Sequence, residues 1–329
     1  MDTIRKVSLS SLLTMSVFML PQTVLAYSEN SSANPTPAVC GIKSSWLTSP
    51  SLPTEVEENA PDGSSNFCDF YQFSSQTYLY LMSEKSPGVR NFQDLAQYPL
   101  LEFKENGDPA DSCDETVTGM TLKTSLDQSS LGTTQAGSGS TIYDVSGDIV
   151  YYDVRFDKDT CNTTASAVEM NKTNLINFPS GTTELKFAWK VLTPTEITAN
   201  KHVTQTQIIS DKPVTLGLLG MHIAVATTDH PEFVWATYEH NNNVPDCVAS
   251  DIQTDTNWTF SSASCTADLD AMDATVIEAC KFNQPGSNQT SPTGTPTNIC
   301  RVHPHGTASG DLKAGENISD INQQNSQLV

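Results

Sequence analysis

The chain has 329 residues, with 38 acidic against 17 basic side chains and a formal net charge of −21 at neutral pH. So acidic a surface repels phosphate, which argues against nucleic acid and anionic membrane as partners and favours plain solubility. The length suits one large domain or two ordinary ones, and no apolar stretch is long enough to predict a membrane span.

Residues 1–26 read as a secretory signal peptide. Arg5 and Lys6 give a basic start, the run from Val7 to Leu20 an apolar middle, and Val24-Leu25-Ala26 a cleavage site after Ala26. The mature chain is then expected in a secreted or periplasmic setting, where cysteines oxidise. All eight of them (Cys40, Cys68, Cys113, Cys161, Cys247, Cys265, Cys280 and Cys300) follow that segment, and an even number fits a full set of bridges. Short loops favour Cys280 with Cys300 and Cys247 with Cys265, because closing about 15–20 residues stabilises by about 3 kcal/mol in the chain-entropy picture. No Cys-x-x-Cys pair exists, which argues against zinc ribbons and thioredoxin-like chemistry. Without Cys-x-x-Cys-His, covalent haem has no attachment point. No cofactor is expected on these grounds, with a bound metal as the open alternative.

Residues 27–66 read as an N-terminal arm and loops, marked by Asn34-Pro35, Thr36-Pro37 and an acidic, Pro- and Gly-containing stretch over 53–65. A helix is predicted near 69–83. Phe70, Phe73, Thr77 and Leu81 fall on one face there, and Asp69 can cap its start. Residues 108–139 are polar and rich in Gly, Ser and Thr. Gly137-Ser138-Gly139-Ser140 is a flexible turn and lacks the Lys-Ser/Thr of a phosphate loop. Strand composition follows over 148–156, 184–192, 204–209, 214–226 and 233–239. The second of these alternates cleanly, with Leu185, Phe187, Trp189 and Val191 on one face and Glu184, Lys186, Ala188 and Lys190 on the other. A second helix is predicted over 268–282 from Leu269, Met272, Val276 and Cys280, and residues 306–329 read as a flexible tail. The predicted fold is mainly β. It is an antiparallel β-sandwich-like core with a few peripheral helices, disulfide-bonded, forming a single β-rich domain over 67–305.

Chemistry could sit on the last two strands. His222 lies inside the apolar run, His230 precedes Pro231 in a turn, and His240 follows Glu239 at the end of its segment. If 228–232 form the turn, His222 opposes Tyr238 and shares a face with His240; a one-residue slip sets His222 opposite Glu239. His222, Glu239 and His240 are therefore the candidate catalytic residues, because imidazoles beside a carboxylate can supply an acid–base pair. His222 and His240 are also candidate metal ligands, as are His303 and His305, which flank Pro304. The competing structural reading is a buried imidazole bonded to a Tyr, a Glu or a backbone carbonyl. No Gly-x-Ser-x-Gly elbow occurs, so the usual serine hydrolase signature is absent.

Several stretches carry a resemblance. Val150-Tyr151-Tyr152-Asp153-Val154-Arg155, Asn177-Phe178-Pro179-Ser180-Gly181, the run from Glu184 to Leu192, Gly217-Leu218-Leu219-Gly220-Met221-His222-Ile223 and Trp235-Ala236-Thr237-Tyr238-Glu239-His240-Asn241-Asn242-Asn243-Val244-Pro245 together resemble a family of exported bacterial proteins. That family is largely uncharacterised, and some members bear a loose cytochrome c label. The resemblance covers residues 148–250, with an echo at 67–81 and 298–301, and it implies kinship and export rather than a reaction. Where the family reads Glu-His-x-Asp-Asn, this chain has Asn242, which weakens a metal or acid role there. Members of the family run on past this C-terminus, which implies a shortened version here.

The expectation is an exported, disulfide-stabilised binding or interaction protein whose partner is an extracytoplasmic ligand such as a glycan, a peptide or a host surface. The alternative is a hydrolase or metal-dependent enzyme with its site around His222, Glu239 and His240.

Overall fold

Asn66 starts the long helix near the N-terminal side of the molecule. Its side chain accepts from the Asp69 amide at 3.2 Å while the Asp69 carboxylate accepts from the Asn66 amide at 2.9 Å, so the two close a reciprocal capping box. Asp69 is therefore the third residue of the helix and not its cap. The computed structural model describes residues 40–99, 141–160, 163, 178–209, 212–245, 247, 258–262, 265, 280, 282 and 293–301. The predicted signal peptide, residues 27–39 of the arm, the stretch over 108–139, the helix over 268–282 (apart from Cys280 and Phe282), His303, His305 and the tail lie outside the described residues.

In chain order, helix α1 (Ser45–Thr48) precedes α2 (Phe67–Met82). A small hairpin of β1 (Glu84–Ser86) and β2 (Val89–Arg90) leads into a single turn of 3-10 helix, Asn91–Gln93. Next come β3 (Tyr151–Phe156), β4 (Thr183–Val191), α3 (Pro194–Ala199), β5 (Thr204–Ile209), β6 (Lys212–Val225) and β7 (Val234–Glu239). The last five strands form one antiparallel sheet of order β3-β4-β6-β5, with β7 also paired to β6. The fold is thus mainly β and antiparallel, with few helices and with disulfides, as the sequence predicts.

The alternation in β4 sorts its side chains as expected. Leu185, Phe187 and Trp189 face inward and meet Phe73 and Leu81 of α2, Phe92 of the 3-10 turn, and Met221 and Ile223 of β6. Burying each large apolar side chain of this set stabilises by about 1.5–3 kcal/mol. Phe73, Thr77 and Leu81 form the buried face of α2, while Phe70 is half-buried. On the opposite face, Val150, Tyr152, Leu219, Val244 and Phe260 make a second, smaller core beside Ala188 and Ile299. That face of the sheet is thereby covered around Ala188 and Leu219. One departure from the pattern is Lys190, placed by alternation on the polar face and yet buried. Its ammonium is paired with Asp144 at 3.1 Å and Glu196 at 2.9 Å. Burial alone would pull this amine down, but the two carboxylates outweigh it and hold it above its ordinary range.

A second ion pair is buried more deeply. Arg155 donates to Asp153 Oδ2 through Nε at 3.0 Å and Nη2 at 2.9 Å, to the Phe92 carbonyl through Nη1 at 2.9 Å, and to Gln205 Oε1 at 3.3 Å. Its guanidinium also lies over the rings of Phe187 and Phe92, at 5.4 and 5.7 Å. Because Gln205 belongs to β5, a side chain from the edge strand β3 reaches across the inner face of the sheet. Burial pushes the Asp153 carboxyl up, and Arg155 opposes it.

The cross-links differ from the loop-length expectation. Cys40 bonds Cys68, Cys247 bonds Cys300 and Cys265 bonds Cys280. The expected pairs, Cys280 with Cys300 and Cys247 with Cys265, do not form. Backbone pairing is the reason. The Arg301 amide donates to Pro245 O at 2.8 Å and the Cys247 amide to Arg301 O at 2.8 Å, which lays Cys300 beside Cys247. That leaves Cys265 and Cys280, the shortest loop of all at a separation of 15, to bond each other. Cys113 and Cys161 lie outside the described residues.

Two measurements check this account. Arg155→Met should cost about 3–5 kcal/mol in denaturant unfolding, since it strands a buried carboxylate, and adding Asp153→Leu should recover much of that loss; a single mutant within about 1 kcal/mol of the parent contradicts the pairing. Peptide mapping without reduction should recover Cys247 linked to Cys300 and Cys265 linked to Cys280, and a Cys280–Cys300 peptide would refute it.

Candidate functional site

The β6–β7 register decides what the histidines can do. Val225 pairs with Val234, Met221 with Tyr238, and His222 with Thr237. Neither predicted register is realised, so His222 opposes neither Tyr238 nor Glu239. The connecting turn explains the difference. The Thr227 and Phe233 amides both donate to His230 O, at 3.2 Å each, and Phe233 sits at φ +71°. The register is shifted by one residue from the predicted one, and a slip by one moves every side chain of β7 to the other face.

The three predicted site residues therefore have separate partners. His222 accepts or donates at Nδ1 with Thr237 Oγ1 at 2.7 Å and lies opposite Lys186 on the outer face of the sheet. Burial, helped by Lys186, draws its imidazole below the usual range. Glu239 forms an ion pair with Arg301, the residue next to the Cys247–Cys300 bridge. His240 lies past the end of β7, with Nε2 on the Lys201 carbonyl at 3.0 Å and Nδ1 accepting from the Asn242 amide at 3.2 Å. Among the described residues, no group of three or more His, Cys, Asp or Glu side chains is placed to hold a metal ion. His230 pairs with Glu232 at 3.5 Å and meets the Phe70 ring edge-on at 4.9 Å.

Sequence reasoning missed the imidazole that does join His240. His202, in the link between α3 and β5, stacks on it with ring centroids 4.1 Å apart and an interplanar angle of 6°. Neither ring nitrogen of His202 reaches a hydrogen-bond partner, and both are shut away from solvent. Gly217 makes room for this ring. A Cβ there would lie 2.5 Å from Leu192 Cδ2 and 3.1 Å from His202 Cβ. Nothing local to Lys201-His202-Val203 marks this role, and only the pairing of β5 with β6 creates it.

Two surface features remain. The first is a strip of aromatic side chains. Phe178 meets Phe233 edge-on at 5.6 Å, Phe233 lies 6.4 Å from Trp235, and Trp235 is 60% exposed. Trp235 points to the same face as Thr237, and cross-strand pairing continues its row through Ala224 to Glu184 and the neighbouring row through His222 to Lys186. Glu184 and Lys186 are themselves paired at 2.7 Å. The second is a hollow of about 420 Å³ beside Asp94, Gln97, Asp157, Lys158, Asp159 and Ser180. Two of its three carboxylates already have partners within the fold. Asp157 accepts from the Thr160 and Thr183 amides, and Asp94 is paired with Lys85. Burial outweighs those donors and lifts the Asp157 carboxyl.

Gly217→Ala is expected to destabilise the protein by about 1–3 kcal/mol, because the added methyl overpacks against Leu192 and His202. Chemical denaturation measures this, and an unchanged midpoint would show that His202 is not seated against β6. No protein-family model matches this chain, and no curated protein and no solved structure matches it either.

Proposed function

We propose that this is an exported, disulfide-stabilised binding protein that takes a neutral glycan on the aromatic strip around Trp235. The observation that carries the reading is the exposure of that indole. A tryptophan left 60% open to water sits in one row of a sheet, beside a row that carries Thr237, His222 and Lys186. An exposed aromatic of this size beside hydrogen-bonding groups is the composition of a recognition surface, since the ring supplies area at low entropic cost. Its flat face suits the apolar C–H face of a sugar ring. Thr237, His222 and Glu184 on neighbouring cross-strand positions suit hydroxyl groups. The net charge of −21 disfavours acidic polysaccharides, and the pairing of Lys186 with Glu184 leaves little local positive charge to attract them.

Export is supported by the basic-then-apolar pattern of residues 1–26 and by the three disulfides among the described residues. No described helix is long and apolar enough to cross a membrane.

Affinity electrophoresis through gels containing neutral polysaccharides (hydroxyethyl cellulose, xylan and galactomannan) tests this reading. The protein should be retarded by at least one of them. Trp235→Ala should weaken that retardation by about thirtyfold, the equivalent of about 2 kcal/mol, without a change in the unfolding midpoint. Free migration in every gel, or equal retardation of the variant, contradicts it.

A further inference from the structure

The stacked pair His202–His240 has no part in the binding strip, and its hydrogen bonding carries a consequence of its own. We infer that it is an acid-sensitive latch: the turn after β7 stays closed only while the His202 imidazole stacked on it is neutral, and protonation of that ring releases the segment which the turn anchors. This goes beyond the glycan reading and does not rest on it.

The tautomer of His240 is fixed by what faces it. Lys201 O can only accept, so Nε2 carries the proton. The Asn242 amide can only donate, so Nδ1 must offer its lone pair. His240 is thereby tied into the turn through both ring nitrogens. His202 is the opposite case. Its two nitrogens are buried without partners, so a proton on either makes a cation with no acceptor. The rings are parallel at 4.1 Å, so two charges there would also repel.

The turn itself is a hub. His240 and Asn243 both donate to the Leu219 carbonyl, at 2.8 and 2.7 Å. Asn243 donates back to His240 O at 3.0 Å. Asn242 O and Asn243 O accept from the Thr259 and Phe260 amides at 2.8 and 2.9 Å, and Phe260 O accepts from Ile299 at 2.7 Å. Opening the turn therefore loosens the cover over Val150, Tyr152 and Leu219, the smaller core.

The charged groups around His202 do not rescue its cation. Glu196 favours it, but Lys190 and His240 oppose it, and Glu196 is already paired with Lys190, which also holds Asp144. Lys201, whose carbonyl holds His240, is exposed. Burial first, then His240 and Lys190, draw the His202 imidazole from its ordinary 6.5 down to about 4. The sign follows from linkage. The unfolded chain takes up this proton near 6.5 and the folded chain only near 4, so the group leaves stability untouched above about 6.5. Stability is then lost steadily as the pH falls from about 6.5 to about 4.

Amide hydrogen exchange at pH 7 and at pH 4.5, corrected for the intrinsic chemical rate, reads the latch. The amides of Asn242, Asn243, Thr259 and Phe260 should lose at least about tenfold in protection at the lower pH, while those of Leu185 and Ile223 keep theirs. His202→Phe retains a flat ring that cannot take a proton, and it should keep most of that protection. Unchanged protection in the parent, or equal loss in the variant, overturns the inference. If the variant does not fold, the imidazole resonances of the unmodified protein decide. A His202 ring still neutral at pH 5 supports the latch, and one that titrates near 6.5 overturns it.

Discussion

Strand β6 has two hydrogen-bonding edges and three partner strands, and a single extra residue lets it serve all of them. Along one edge β4 runs the length from Leu216 to Val225, but Ala188 pairs with Gly220 and Trp189 with Leu218, so Leu219 bulges out of the ladder. The opposite edge is divided at the same place. β5 pairs with residues 212–217 and β7 with residues 220–225. The bulge is not left unpaired. The Leu218 amide donates to Val203 O at 2.9 Å, just before β5, and Leu219 O takes the amide of His240, just after β7. Because of the extra residue, Leu218 points into the main core and Leu219 into the smaller one. His202 and His240 meet because β5 begins and β7 ends at this one point.

The polar interior follows a related logic. Arg155 and Asp153 are almost wholly buried, which is tolerable only because the guanidinium is met by a carboxylate, a carbonyl, an amide oxygen and two ring faces. The same guanidinium thus joins β3 to β5 and to the 3-10 turn, whose Phe92 ring lies 4.9 Å from that of Phe187. Lys190 does the equivalent at the other end of β4. It gathers Asp144 and Glu196, the latter already closing the cap of α3 through Thr193.

Features set by local periodicity could be read directly from the amino acids. The alternation of Leu185, Phe187 and Trp189 and the helical face of Phe73, Thr77 and Leu81 both depend only on near neighbours, and both appear as expected. Features set by three-dimensional closure could not. The register at His222 turned on a connecting turn that includes the left-handed backbone of Phe233, a conformation that a bulky residue gives no warning of. The Cys247–Cys300 bridge turned on the pairing of Arg301 with Pro245 and not on loop length. Lys190 gave the pattern of a solvent-facing residue, since Asp144 is remote in sequence. Of the site, His240 was visible and its true neighbour His202 was not, and the exposure of Trp235 needed the sheet to be seen.

The binding strip and the histidine pair thus sit at two ends of one short strand, β7, whose placement depends on the bulge beside it. Cross-strand contacts between backbone protons, measured by nuclear magnetic resonance in solution, test that dependence most directly. The account predicts contacts joining Trp189 to Leu218, Ala188 to Gly220 and His222 to Thr237, with Leu219 opposite neither β4 residue. An unbroken ladder that sets Leu219 opposite Trp189, or His222 opposite Tyr238, would contradict it.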